Sequence, residues 1–218
     1  MALAIFDLDN TLLAGDSDYL WGEFLIERGL VNRSEYQAAN EKFMRDYEDG
    51  SLDIYAFLAF ALKPLAQHEP EKLHAWRKEF IAHKIEPIVL PSAKALIAEH
   101  RRRGDLPLII TATNRFVTQP IANLLGIEHL LATEPEFLAG RYTGQVTGIP
   151  TFREGKIEAL EHWMKEHDQT LDGSWFYSDS HNDIPLLERV DHPVAVDPDP
   201  ELRKHAERRQ WRIISLRD

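Results

Sequence analysis

The sequence predicts an α/β protein: an open, parallel, Rossmann-like sheet with helices on both faces and an inserted four-helix cap. Three observations lead there. Short apolar runs recur at 2–6, 106–110, 174–177 and 193–196, with a weaker one at 212–215. Unbroken runs of that length are the pattern of strands buried on both faces of a parallel sheet. Helical patterns fill the intervals after the second run, and strands alternating with helices imply right-handed crossovers in one open sheet. The stretch from Ala14 to Glu86 carries helical periodicity alone.

Each element follows from its punctuation. The helix predicted over 91–103 opens on Pro91 and stops at Gly104; that over 116–125 stops at Gly126. Proline at the start and glycine past the end is the expected asymmetry. Further helices are expected over 156–167, 183–190 and 200–210, and a glycine-containing hairpin over 138–148. In the inserted block Leu20, Trp21, Phe24 and Leu25 form a stripe that ends at Gly29, and Tyr36, Ala39, Phe43 and Tyr47 form a second, ending at Gly50. A third helix, 54–62, stops before Pro64, and a fourth starts near Pro70 with Leu73, Trp76 and Phe80 on one face. The expected division is therefore a core of 1–14 and 87–218 and a helical cap of 15–86, joined through Ala14-Gly15 and the 87–91 segment, where glycine and loop residues are candidate hinges.

Composition narrows the function. With 218 residues, 44% apolar and 28% charged, the chain is long enough for a substantial core and an enclosed pocket. The net charge of −11 argues against nucleic acid, whose phosphates need a basic footprint. The absence of cysteine excludes disulfides, thiolate nucleophiles and Cys-ligated zinc. The apolar start lacks a basic region and is cut short by Asp7, so neither a signal peptide nor a membrane span is expected, and a cytoplasmic protein is.

The chemistry points to four acids. Asp7 and Asp9 follow the first strand two residues apart, and Asp179 and Asp183 follow the run that contains Trp175-Phe176-Tyr177. Strand carboxyl ends bound the ligand crevice of open α/β sheets. Two carboxylates about 5 Å apart repel by on the order of 3 kcal/mol at an effective dielectric near 20, so such a cluster calls for a cation. Oxygen ligands without His or Cys favour Mg²⁺. Helix capping is the competing role for any single one of these aspartates.

The segment Asp7-Leu8-Asp9-Asn10-Thr11 resembles the first motif, DxDxT, of the haloacid dehalogenase-like superfamily. Ile109-Ile110-Thr111-Ala112-Thr113 resembles its second motif, Lys156 at the opening of a helix suits the third, and Tyr177-Ser178-Asp179-Ser180-His181-Asn182-Asp183 resembles the acidic fourth. The ordered set spans almost the whole core, and the helical insertion after the first motif matches the subgroup that contains phosphoserine phosphatases. The resemblance implies a Mg²⁺-dependent phosphatase acting on a small phosphomonoester. In it Asp7 is the nucleophile that becomes an aspartyl-phosphate, and Asp9 is the acid and then the base. Asp7, Asp9 (through its carbonyl), Asp179 and Asp183 serve the metal; Thr111, Lys156, Asn182 and the N–H groups of Ala112 and Thr113 hold phosphoryl oxygens. His181, inside the fourth motif, has no assigned role.

Phosphoserine is the first substrate to weigh. Similar phosphoserine phosphatases carry in the third cap helix an arginine for the substrate carboxylate, and here that stretch is Phe57-Leu58-Ala59-Phe60-Ala61-Leu62. Asp16 and Asp18 are instead placed to meet an ammonium, and the Asp16-Ser17-Asp18-Tyr19 start resembles subgroup relatives that act on histidinol phosphate. Phosphoserine remains the alternative ester. Two readings of another class are a catalytically inactive phospho-ligand-binding protein and a receiver domain, which places its acidic pair and acceptor on different strands and has no cap.

Overall fold

The computed structural model describes residues 2–217; Met1 and Asp218, the outermost residues of the expected core, lie outside the described residues. Seven strands form one sheet in the order β4-β3-β2-β1-β5-β6-β7. They are β1 (Leu3–Phe6), β2 (Leu106–Asn114), β3 (His129–Leu138), β4 (Arg141–Thr147), β5 (Trp175–Ser178), β6 (His192–Val196) and β7 (Arg212–Ile214). All neighbours are parallel except β4, which runs antiparallel to β3.

The all-apolar β1 sits in the middle and is fully buried on both faces. Period two divides it: Ala4 and Phe6 join one core, with Ile109, Tyr177 and Val194, while Leu3 and Ile5 join the other, with Ile110, Phe176 and Ala195. The helices α6 (Pro91–Arg103) and α7 (Arg115–Leu124) cover the first face; α8 (Glu154–His167), α9 (Ile184–Leu187) and α10 (Pro200–Arg209) cover the second. The Rossmann-like expectation holds.

Chain direction positions the site. From β1 the chain lays down β2 and β3 on one side, then crosses through α8 to β5, β6 and β7 on the other. The reversal of strand order between β2, β1 and β5 is a topological switch point, where such sheets open a crevice at their carboxyl ends.

The inserted block holds α1 (Ser17–Glu27), α2 (Arg33–Glu48), α3 (Ile54–Ala61), α4 (Lys63–Gln67) and α5 (Pro70–Phe80). The sequence pattern gives four helices; the structure adds α4, because Pro64 ends one helix by opening the next within its first turn. After α5 the chain makes a wide turn over Ile81–Ile85. Trp21, Phe24 and Phe80 of this block pack into the same core as Phe6 and Phe116. The two connections lie side by side: Ala14 N–H donates to Ile88 O at 2.8 Å and Leu90 N–H to Leu12 O at 3.2 Å. No helix among the described residues is long and apolar enough to cross a membrane.

One strand differs from the sequence reading. The hairpin is real, but 138–141 is its turn, and its first arm is β3, a ten-residue strand joined to the central sheet. Pro135 and the polar residues around it conceal that strand, and a register shift at this point accommodates them.

Candidate active site

Asp7 emerges from β1 where Phe6 pairs with Tyr177, and its N–H donates to Tyr177 O at 2.9 Å. It is thereby fixed between the ends of β2 and β5. Lys156, in the first turn of α8, is only 4% exposed. Its Nζ donates to Asp7 Oδ1 at 2.7 Å and to Asp183 Oδ2 at 2.8 Å. Lys156 is thus a buried, doubly paired ammonium rather than a solvated surface lysine. Ser178 Oγ donates to the same oxygen of Asp183 at 2.7 Å.

A second bridge comes from Thr11. Its hydroxyl donates to Asp179 Oδ1 at 3.0 Å, lies 3.5 Å from Asp7 Oδ2 and accepts from Asp179 N–H at 3.1 Å. Asp7, Asp179 and Asp183 therefore meet at one mouth, tied by one ammonium and one hydroxyl. Asp9 lines the same cavity but diverges, because the strand ends at Phe6 and the chain turns at Asp9-Asn10. Its carboxylate accepts from Ser17 N–H at 2.7 Å and Thr113 Oγ1 at 2.8 Å.

Burial sets the electrostatics. It pushes Asp7 up to about 7 against the opposing pull of Lys156, with Asp183 and Asp9 adding to the rise. Asp9 rises to about 6, again chiefly through burial, then through Asp16. Asp179 is held well above the carboxylate range by burial and by the charge of Asp7. Burial alone lowers Lys156, but Asp183 and Asp7 more than offset it and keep the ammonium protonated.

Among the described residues no three His, Asp or Glu side chains converge as a preformed metal cage. The expected four carboxylates do not share one point: Asp9 faces Ser17 and Thr113, and Asp183 is engaged by Lys156 and Ser178. The donor set still fits a hard ion that takes one or two carboxylates and keeps its waters. Lys156 binds Asp7 Oδ1, while Asp7 Oδ2 and Asp179 Oδ1 lie on either side of the Thr11 hydroxyl, so these two carboxylates are the ones that would hold such an ion.

The remaining expected residues fall around this mouth. Thr111 lies near the end of β2, 1% exposed, its Oγ1 accepting from Thr113 N–H at 3.2 Å. Thr111, Ala112, Thr113 and Asn182 all line the cavity. Asp16 caps α1, its Oδ1 accepting from Asp18 N–H and Tyr19 N–H at 2.9 and 2.8 Å. It nevertheless lines this cavity and an adjoining aromatic chamber, which Asp18 lines as well. Burial raises Asp16 to about 6 and Asp18 to about 7, each helped by a neighbouring aspartate. His181 turns away, its Nδ1 paired with Asp199 Oδ2 at 2.8 Å.

Three contributors escaped sequence reasoning. Thr11 stands inside the first motif, but only coordinates reveal that it joins two strand ends. Arg153 precedes α8 with φ +50, and its guanidinium donates to Asn182 Oδ1 at 2.8 Å and to Gly50 O. Tyr47 OH donates to Ser180 Oγ at 3.1 Å, bringing α2 onto the β5 loop. Nothing local in the sequence marks Arg153 or Tyr47, since both act across long separations.

A family model described as haloacid dehalogenase-like hydrolase matches residues 4–188. The chain is 46% identical over 219 residues to the histidinol-phosphatase of Neisseria meningitidis serogroup C (strain 8013), covering 99% of each. It is similar, with a TM-score of 0.93 and 44% identity, to a solved structure of a protein with unknown function from Bordetella pertussis Tohama I, covering 99% of this chain and 98% of that one. A phospho-aspartyl intermediate analogue of phosphoserine phosphatase shares the fold, with a TM-score of 0.70 and 22% identity over 100% of this chain and 94% of that one.

Proposed function

The chain belongs to the haloacid dehalogenase-like hydrolases, and on that footing we propose that it is a Mg²⁺-dependent phosphatase that takes phosphate from histidinol phosphate by way of Asp7. The observation that carries the reading is the buried Lys156 ammonium spanning Asp7 and Asp183 at the sheet's switch point.

In the first step an Asp7 carboxylate oxygen attacks phosphorus, the ester P–O bond breaks, and Asp9 delivers its proton to the departing alkoxide oxygen. In the second, Asp9 takes a proton from water as that water attacks phosphorus, and the bond to Asp7 breaks to release inorganic phosphate. Asp9, raised to about 6, is suited to both transfers near neutral pH. Lys156, Thr111 and the Ala112 and Thr113 N–H groups meet the charge that gathers on the phosphoryl oxygens. Asp7, Asp179 and the Asp9 carbonyl would hold Mg²⁺, with Asp183 orienting its waters, and the ion would supply positive charge against Asp7 and the phosphoryl group. Residues 15–86 act as the cap that closes the site.

The substrate assignment draws on the Neisseria histidinol-phosphatase and on the chamber beside the mouth. Asp16 and Asp18 line it with aromatic side chains, and no Lys or Arg does among the described residues. A carboxylate such as that of phosphoserine finds no partner there; an amine does. The reading is tested by phosphate release from histidinol phosphate with Mg²⁺, with chelator, and with Asp7→Asn. Turnover that survives chelation and Asp7→Asn alike would sink it, and clear preference for phosphoserine would sink the substrate assignment alone.

A further inference from the structure

We propose that Asp18 and Asn40 determine specificity in the aromatic chamber, each accepting one N–H of a small, nitrogen-bearing, cationic ring such as imidazolium. The proposal rests on the phosphatase reading and goes past it, because it separates the groups that read the ring from Asp16, which stands at the neck where an alkyl amine passes.

Asp18 is aimed by a chain of contacts. Asn114 caps α7, its Oδ1 accepting from Val117 N–H at 3.3 Å. That bond fixes which side of the amide faces outward, and Nδ2 donates to Asp18 Oδ1 at 3.2 Å. The second Asp18 oxygen has no hydrogen-bond partner among the described residues.

Asn40 supplies an independent acceptor. It is 5% exposed, yet it lines the chamber. Its Nδ2 donates to Tyr19 O at 3.4 Å and lies against Gly22, where an added Cβ would come within 2.8 Å of it. The nitrogen side of the amide therefore faces α1, and Oδ1 accepts no hydrogen bond from the described residues. That oxygen stays accessible from the chamber and is free to accept a ligand N–H, a hydrogen bond worth about 0.5–1.5 kcal/mol.

The surroundings choose the ligand class. Phe43, Tyr47, Phe57 and Phe152 line it, and aromatic walls favour a flat cation over an extended alkyl chain. The cavity of about 60 Å³ holds roughly four to six water-sized volumes, room for a five-membered ring. Two acceptors match the two N–H groups of imidazolium, and no Lys or Arg among the described residues lines the chamber to compete for them.

The test compares kcat/KM for histidinol phosphate with that for a ringless 2-aminoalkyl phosphate. Wild type should favour the ring-bearing ester, and Asp18→Asn and Asn40→Leu should each lower that preference about 10- to 100-fold. An unchanged preference in both variants overturns the proposal, as does wild-type turnover of the two esters with equal kcat/KM; in either case the phosphatase reading stands. Release of phosphate from neither ester overturns both. Should a variant fail to fold, inhibition of wild type decides. Histidinol should inhibit at least about tenfold more tightly than 2-aminopropanol, and equal inhibition overturns the proposal.

Discussion

The two ends of the pocket are built on opposite plans. At the phosphoryl end the groups hang from strand termini, and charges answer one another: Lys156 bridges Asp7 and Asp183, and Thr11 bridges Asp7 and Asp179. At the leaving-group end the walls are helical and aromatic, and acceptors outnumber the donors that face them. A preorganised array that excludes water suits a reaction whose charges are the same in every cycle. Unanswered acceptors suit a ligand that brings its own donors. On the proposed reading the first end carries the reaction and the second the substrate, and substitutions should separate along that line.

The largest effect belongs to Asp7→Asn. It keeps the shape and removes the proposed nucleophile, so phosphate release should fall by at least about 10⁴ for every ester, ring-bearing or not. A loss confined to histidinol phosphate would break the comparison. Next comes Lys156→Met, which leaves Asp7 and Asp183 facing each other across an apolar side chain. Activity should drop about 10²- to 10³-fold, and denaturant titration should show a loss of about 3–5 kcal/mol, the cost of a buried charge without its partner.

A backbone substitution sharpens the same end. A Cβ on Gly155 would come within 2.0 Å of Pro150 O, so α8 can begin here only with glycine. Gly155→Ala must displace the turn that aims Lys156. It should cost about 3 kcal/mol in a urea titration and lower kcat more than it raises KM.

How much of this was legible follows from how far apart the contributing residues lie. The mouth was readable because strand, acid and spacing are local: Asp7 and Asp9 follow one apolar run, Asp179 and Asp183 another, and Lys156 opens a helix. What the spacing could not reveal is direction. Asp7 and Asp9 diverge because the strand ends one residue before Asp7, and Asp16 spends one oxygen on its own helix. β3 was hidden because Pro135 and alternating polar residues on an outer strand carry no buried run, and α4 because Pro64 reads as a stop. Nothing local marks Asn40 or Asn114; their role depends on Tyr19, Gly22 and Asp18, which only the fold brings to them.

The smallest expected effect is on stability and sorts the two ends by ligand. Burial raises Asp7 and Asp18 to about 7, Asp9 and Asp16 to about 6, and Asp179 well above the carboxylate range. A carboxylate whose folded pKa is raised holds a proton that the unfolded chain has already released, so the folded state binds more protons between about pH 4 and 7. Stability then falls as pH rises through that window, opposite to a salt-bridged aspartate. His74, lowered by its own burial, opposes the trend but is mostly solvated. Metal-free protein should therefore melt about 4–8 °C higher at pH 6 than at pH 8, from about 1 kcal/mol each at Asp7 and Asp18. Mg²⁺ favours ionised Asp7 and Asp179 and should cancel only the share of that end. Histidinol favours ionised Asp18 and should cancel the other. If Mg²⁺ alone flattens the pH dependence of melting completely, Asp18 is not a buried acid awaiting a cation, and the two ends are not separate in the way their contacts imply.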